Sequence, residues 1–309
     1  MSVAAGSFPR IAVVAAGAMG SAVANRLHRA GCTVLTNLDG RSDATRRRAL
    51  DAGMIDVSLG EMVQKAQWIL SILPPRDAHT FAEMVGREAS KTGRGIHAAN
   101  ESLVFVDCNA VSPETAKRIA GVFAATDIKF VDAGIIGGPP RDGYDPTFYA
   151  SADARDLGIL DAFSGLSRYG LKVSPLNGEG AGVGDASALK MSYAGITKGV
   201  TGLFTTMVLA AHASSPATAD ALLRELNISQ SALLNRLVKS VPPMVPKAYR
   251  WVGEMEEIGD FVGGSQGDVY RGLARVYERV ESSVEGDQKD INVLTKFVKD
   301  AESTLQRDK

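Results

Sequence analysis

The run IAVVAAGAMG, from Ile11 to Gly20, followed at once by SAVANRLHRA, constrains this chain most. Uninterrupted apolar β-formers lead into a glycine turn, and the turn opens straight onto an amphipathic helix. A strand buried on both faces, then a tight turn and a helix, is the opening of a parallel α/β sheet. Such a turn leaves the first backbone N–H groups of the helix bare, and the helix dipole favours negative charge there, so the geometry suits a pyrophosphate. Ala16, Gly17, Ala18, Met19 and Gly20 border that position: Gly17 allows close approach and Gly20 lets the helix pack on the sheet. Ala15 stands where the usual fingerprint has its first glycine, so the pattern is AxGxxG, with an ordinary βα-turn as the alternative.

The alternation continues. Thr33 to Leu38, Trp68 to Leu73, Leu103 to Cys108 and Lys129 to Asp132 read as further strands, with helices between several of them and short turns at Leu73–Pro75 and Asn109–Pro113. Ser58 with Glu61 forms a capping box, and Ser112–Pro113–Glu114 starts another helix. After strands at Thr147 to Ala150 and Leu171 to Ser174, the segment Asn177 to Gly184 is rich in glycine, and from Asp185 onward the periodicity is helical throughout. The expected fold is therefore α/β: a Rossmann-type doubly wound sheet over residues 1–177, then an all-α domain over 178–309. A length of 309 residues suits two domains.

A formal net charge of −1 with scattered basic residues argues against a nucleic-acid partner, and Arg46–Arg48 reads as the solvated start of a helix. The histidines never sit at ligand spacing, so no metal site is expected. Cys32 and Cys108 lie in apolar runs as small buried hydrophobes. The N-terminal MSVAAGSFPR lacks the build of a secretory signal, and the apolar stretch Gly199 to Ala213 is shorter than the ~20 residues of a bilayer span. It reads as a buried core helix of a cytoplasmic protein without a membrane partner.

Asp39 lies where a carboxylate binds the ribose hydroxyls of NAD, whereas Arg41 and Ser42 in the same turn suit the 2′-phosphate of NADP. The arginine favours NADP over NAD; a solvated loop arginine is the competing explanation.

Five motifs in order resemble the β-hydroxyacid dehydrogenases, the family of 3-hydroxyisobutyrate and 6-phosphogluconate dehydrogenases. They are AAGAMG, SILPP, FVDCNAVSP, VDAGIIGGPP and GAGVGDASALKMSYAG. The resemblance implies that Lys190 is the catalytic lysine, that Gly137 and Gly138 shape a substrate loop, and that Leu73, Pro74 and Asn109 border the cofactor. Ile136 replaces the loop serine and Ala194 the asparagine one turn after the lysine. Two polar substrate contacts are thereby missing, which argues for a less polar or differently anchored substrate.

Lys190 is expected early in a helix capped by Asp185, among small apolar residues. Desolvation there disfavours the ammonium and makes the lysine a usable acid or base for hydride transfer. A snorkelling lysine is the plainer alternative. Tyr193 shares its helix face and can offer a hydroxyl to substrate, or serve as a core aromatic. Lys198 is expected at a surface or interface. Glu254, in a charged stripe with Arg250 and Glu257, would favour a cationic substrate if the stripe faces the cleft; otherwise it is a solvated face. The expected function is thus NAD(P)-dependent oxidoreduction of a small β-hydroxy acid or related hydroxy/oxo compound. An imine or ketone reductase and a non-catalytic NADP-binding sensor are the alternatives. The apolar helix Met191 to Ala213 exceeds what a small domain covers, so a homodimer through the helical domain is expected.

Overall fold

The computed structural model describes residues 8–92 and 102–307, so the first residues of the N-terminal segment considered above lie outside it. Eight strands form one sheet: β1 (Arg10–Val14), β2 (Thr33–Thr36), β3 (Met54–Asp56), β4 (Trp68–Ser71), β5 (Val104–Asp107), β6 (Lys129–Ile136), β7 (Thr147–Ser151) and β8 (Lys172–Pro175). Their order is β3-β2-β1-β4-β5-β6-β7-β8. All neighbours are parallel except β6 and β7, which pair antiparallel with Asp132 opposite Ser151. Helices α1 (Ala18–Arg29), α2 (Asp43–Asp51), α3 (Leu59–Lys65), α4 (Pro75–Thr92), α5 (Pro113–Val122) and α6 (Leu157–Ser164) connect them.

The central strands β4 and β5 are buried along their whole length, which is why their sequences WILS and VFVD do not alternate. Side chains of one parity (Ile11, Val13, Leu70, Val106, Val131) pack with Val23 and Leu27 of α1 and with Leu160 and Phe163 of α6. Those of the other parity (Ala12, Val14, Ile69, Phe105, Phe130) pack with Met62, Val85 and Ile119 of α3, α4 and α5. The Ser58–Glu61 capping box forms as expected, and Ser112 caps α5 with Pro113 in its first turn.

Two features depart from the sequence expectation here. Strand β3 was not expected: it is three residues long, lies at the sheet edge and buries only Met54, too little for a periodic signal. Strand β6 continues past Asp132 to Ile136, because β7 pairs along its full length.

The helical part comprises α7 (Asp185–Ser214), α8 (Pro216–Ser229), α9 (Ser231–Met244), α10 (Ala248–Val262), α11 (Gly264–Glu285) and α12 (Lys289–Arg307). Compact packing divides the chain into Met1–Lys190 and Met191–Lys309, so the division falls within α7 and not at Asn177. In the second unit Phe204 and Val208 of α7 meet Leu237 and Val241 of α9 and Leu294, Phe297 and Val298 of α12. Fully buried Tyr277 donates to the Lys198 carbonyl at 2.6 Å, and Trp251 packs edge-on against its ring.

At 30 residues, α7 exceeds the expected apolar stretch and is, among the described residues, the one helix long and apolar enough to cross a bilayer. Of its apolar window 44% is buried inside the protein, as in a partly buried core helix. Both of its lysines have protein partners.

Candidate active site at the carboxyl edge of the sheet

The site is built from the turns that leave β1, β2, β4, β5 and β6 at their carboxyl ends, all within the first unit. After β1, Gly17 caps α1 without any side-chain hydrogen bond, and no acidic residue lies in the first turn of that helix. Nothing lies within 4 Å of where a Gly17 Cβ would be, whereas a Cβ on Gly20 would overlap the Ala15 carbonyl oxygen. Gly17 is thus open to approach and Gly20 is crowded against the backbone, with Ala16, Ala18 and Met19 completing the turn. First-turn donors that no side chain among the described residues caps, an open approach and no acidic residue in that turn fit a dinucleotide pyrophosphate.

After β2, Asp39 is exposed and receives the Asn37 amide at 2.9 Å. Ser42 is the N-cap of α2, its hydroxyl accepting from the Thr45 amide, so it helps build the turn. Arg41 is exposed. The Arg46–Arg48 run is not simply solvated. Arg46 donates to the carbonyls of Leu38 (2.6 Å) and Arg41 (3.2 Å) and pairs with Asp56, while Arg48 donates to the Ala16 carbonyl at 3.2 Å. Arg46 thus lies along the turn between β2 and α2 that carries exposed Arg41 and Asp39, whereas Arg48 reaches the turn after β1.

After β4 and β5, Leu73 and Pro74 lie at the expected turn, Leu73 buried and Pro74 exposed. Asn109 is there too, but faces inward at 3% exposure. Its amide donates to Ser71 Oγ at 2.9 Å and to Asp107, and its oxygen accepts from the Leu73 N–H. It therefore ties two strand ends together.

Register places Ser71, Asp107, Asp132 and Ser151 side by side on β4, β5, β6 and β7. This buried polar row was missed from the sequence. Its signal is a serine or aspartate in WILS, VFVD and KFVD, each directly after an unbroken apolar run. Asp132 accepts from the N–H groups of Gly184 (3.1 Å) and Ser187 (3.0 Å) and from the hydroxyls of Ser187 (2.7 Å) and Ser151 (3.3 Å). Ser151 Oγ also accepts from the Ala186 N–H at 3.1 Å. The sheet thus caps α7, whereas Asp185, the expected cap, accepts from Gly182 N and sits in the helix's first turn. Burial pushes both aspartates up. Asp107 rises to about 7, with repulsion from Asp132 adding to burial, and with the Asn109 hydrogen bonds and the Lys190 charge opposing it. For Asp132 the Ser187, Ser151 and Gly184 hydrogen bonds oppose the rise.

The start of α7 lies directly on β6 because residue 134 is glycine: a Cβ there would sit 2.7 Å from the Ala186 carbonyl oxygen and 3.1 Å from Lys190 Cβ. From this seat Lys190, half-buried, donates from Nζ to the Ile135 carbonyl at 2.7 Å. Its amine is held at the carboxyl edge of the sheet and does not snorkel freely into solvent. Beyond β6, Ile136 ends the strand, the Tyr144 hydroxyl packs on Gly137, and the Gly138 N–H donates to it at 3.2 Å.

Two expected substrate contacts lie in the second unit. Tyr193 is 52% exposed and is no core aromatic. Glu254 is only 4% exposed and forms an ion pair with Lys198, whose ammonium also lies 4.9 Å from the Trp251 ring centroid, while Arg250 lies 3.8 Å from the same carboxylate. The stripe is therefore not a solvated face at Glu254, Lys198 is not a surface lysine, and the carboxylate is already paired rather than open to a cationic substrate.

Residues 10–163 match the model of the NAD-binding domain of 6-phosphogluconate dehydrogenase, and residues 213–280 match a domain of unknown function, DUF1932. No curated protein matches the sequence. Among solved structures, conserved protein MTH1747 of unknown function, described as similar to 3-hydroxyacid dehydrogenases, is 27% identical with a TM-score of 0.62, covering 88% of this chain and 97% of its own. The 3-hydroxyisobutyrate dehydrogenase of Salmonella typhimurium is 16% identical with a TM-score of 0.61, over 93% and 99% of the two chains. An imine reductase from Myxococcus stipitatus in complex with NADP+ is 20% identical with a TM-score of 0.52, over 94% and 100%. The last two share the fold.

Proposed function

Because residues 10–163 belong to the family of NAD-binding domains of 6-phosphogluconate dehydrogenase, we propose that this chain is an NAD(P)-dependent oxidoreductase acting on a small β-hydroxy acid or related hydroxy/oxo compound, with Lys190 as general acid/base. The observation that carries the proposal is the seat of Lys190: its Nζ is fixed on the Ile135 carbonyl at the same sheet edge that carries the glycine turn. A bound dinucleotide would supply or accept the hydride. The chain does the rest. The first-turn amides of α1 would hold the pyrophosphate, and Lys190 Nζ would take the hydroxyl proton when an alcohol is oxidised or return it when a carbonyl is reduced.

NADP is favoured over NAD, since Arg41 is exposed in the β2–α2 turn and Arg46 lies along the same turn, both suited to a 2′-phosphate. Reduction of imines or ketones is the second reading; Ile136 and the buried Ala194 at the two polar-contact positions support it. A homodimer is part of the proposal. Exposed Tyr193, Ile196, Leu203 and Met207, with half-buried Val200, follow the three-and-four spacing of a helix–helix seam on α7, and that uncharged seam suits a second copy of itself. A single-chain mass in solution refutes the dimer. A cytoplasmic location suits the two buried free thiols.

Fluorescence titration with NADPH and NADH, followed by turnover on hydroxy acids, aldehydes, ketones and imines, tests the assignment. Lys190→Met should keep dinucleotide affinity and lower turnover by at least about 100-fold. Binding of NADPH without turnover of any substrate, unchanged by this substitution, would leave a dinucleotide sensor instead.

A further inference from the structure

The mechanism above does not use the buried carboxyl of Asp107. Asp107 is 1% exposed at the end of β5, and its register partner on β6 is Asp132. The two carboxyls differ in their surroundings. Asp132 collects four donors, two of them from the first turn of α7, and that environment stabilises its anion. Asp107 receives only the backbone and side-chain N–H groups of Asn109, both on Oδ1, and its Oδ2 is buried with no hydrogen-bond partner. Two neighbouring buried carboxylates do not both ionise readily, and an anionic oxygen without a donor is the costlier one to bury.

We propose that Asp107 is a positioning residue for the proton chemistry of Lys190: it keeps a proton beside Asp132, whose carboxylate is held by Ser187 one helical turn before the lysine, and loss of that proton tightens the lysine's hold on its own. The idea rests on the acid/base reading of Lys190 in the preceding subsection. Asp107 meets the charge of its register partner Asp132 on β6 and that of Lys190, which lies one turn beyond the Asp132-bound Ser187 on α7. Ser71 on β4, the Asn109 amide, and Ser112 and Thr115 at the start of α5 are uncharged, and burial keeps the adjoining Cys108 thiol protonated. The proton that Lys190 exchanges goes to or comes from the reacting oxygen; the Asp107 proton is not transferred in the reaction. With Asp107 neutral the amine is more easily freed to act as a base, and with Asp107 ionised the ammonium is favoured and acts as an acid.

The test uses the full chain labelled with carbon-13 at lysine Cε and titrated by NMR, with the Lys190 resonance assigned from Lys190→Arg. Asp107→Asn fixes the neutral state at nearly the same shape. It should lower the pH at which Lys190 loses its proton by about one unit, as expected for removing one nearby charge from a partly buried site. An unchanged midpoint overturns the proposal. If the variant does not fold, the wild-type resonance decides: it should show an extra inflection near the Asp107 midpoint of about 7, and a single-step curve overturns the proposal. Neither measurement needs dinucleotide or substrate, so its failure is separate from a failure to find hydride transfer.

Discussion

Replacing Asp107 by asparagine should change how stability depends on pH, and the sign and size follow from burial. In the folded chain this carboxyl titrates at about 7 instead of the ordinary 3.8. Between those values the folded state holds a proton that the unfolded state has released, so stability falls as pH rises, and it levels off above about 7. At about 1.4 kcal/mol per pH unit the whole span amounts to about 4 kcal/mol, of which about 3 kcal/mol falls between about pH 5 and 8. For a unit of this size each kcal/mol moves the melting temperature by ~2–4 °C, so the wild type should lose roughly 6–12 °C over that range relative to Asp107→Asn. The contribution of Asp132 is common to both proteins and cancels. Thermal unfolding across pH, followed by calorimetry, is the assay. Melting temperatures of wild type and variant that move in parallel would refute the burial argument.

Gly134→Ala should cost about 1–3 kcal/mol through overpacking of α7 on β6 and, by displacing Lys190, lower turnover by about 100-fold, with dinucleotide affinity kept; a variant as stable and active as wild type contradicts the close contact. Arg41→Ala should weaken NADPH about 10-fold and leave NADH nearly unchanged in a fluorescence titration, and equal effects on both would remove the argument for NADP. Glu254→Gln, which leaves the buried Lys198 charge without its carboxylate, should destabilise by about 3–5 kcal/mol in urea unfolding, whereas the double variant with Lys198→Met recovers most of the loss. A pair held only at the surface would show neither effect.

The helix caps and the glycine turn were legible in sequence because their physics is local. Ser58 with Glu61, Ser112 with Pro113, and Gly17 with Gly20 each act within a few residues. Asp185 looked like a cap by the same local rule, and the structure gives the task to Asp132 and Ser151, which lie far away in the chain. Asp107 and Asp132 carried only the faint signal of a carboxylate after an apolar run. Their pairing is a matter of strand register.

By itself the sequence determined the alternation of buried strands and helices, the anion-ready turn after β1, and the lysine at the start of the long helix, since each depends on hydrophobic period or on neighbouring residues. Only the tertiary structure decided that Glu254 is bound to Lys198, that Arg46 and Arg48 turn back onto loop carbonyls, and that two carboxyls sit side by side near Lys190. The reason is the same in each case: burial and charge pairing are set by groups brought together from distant parts of the chain.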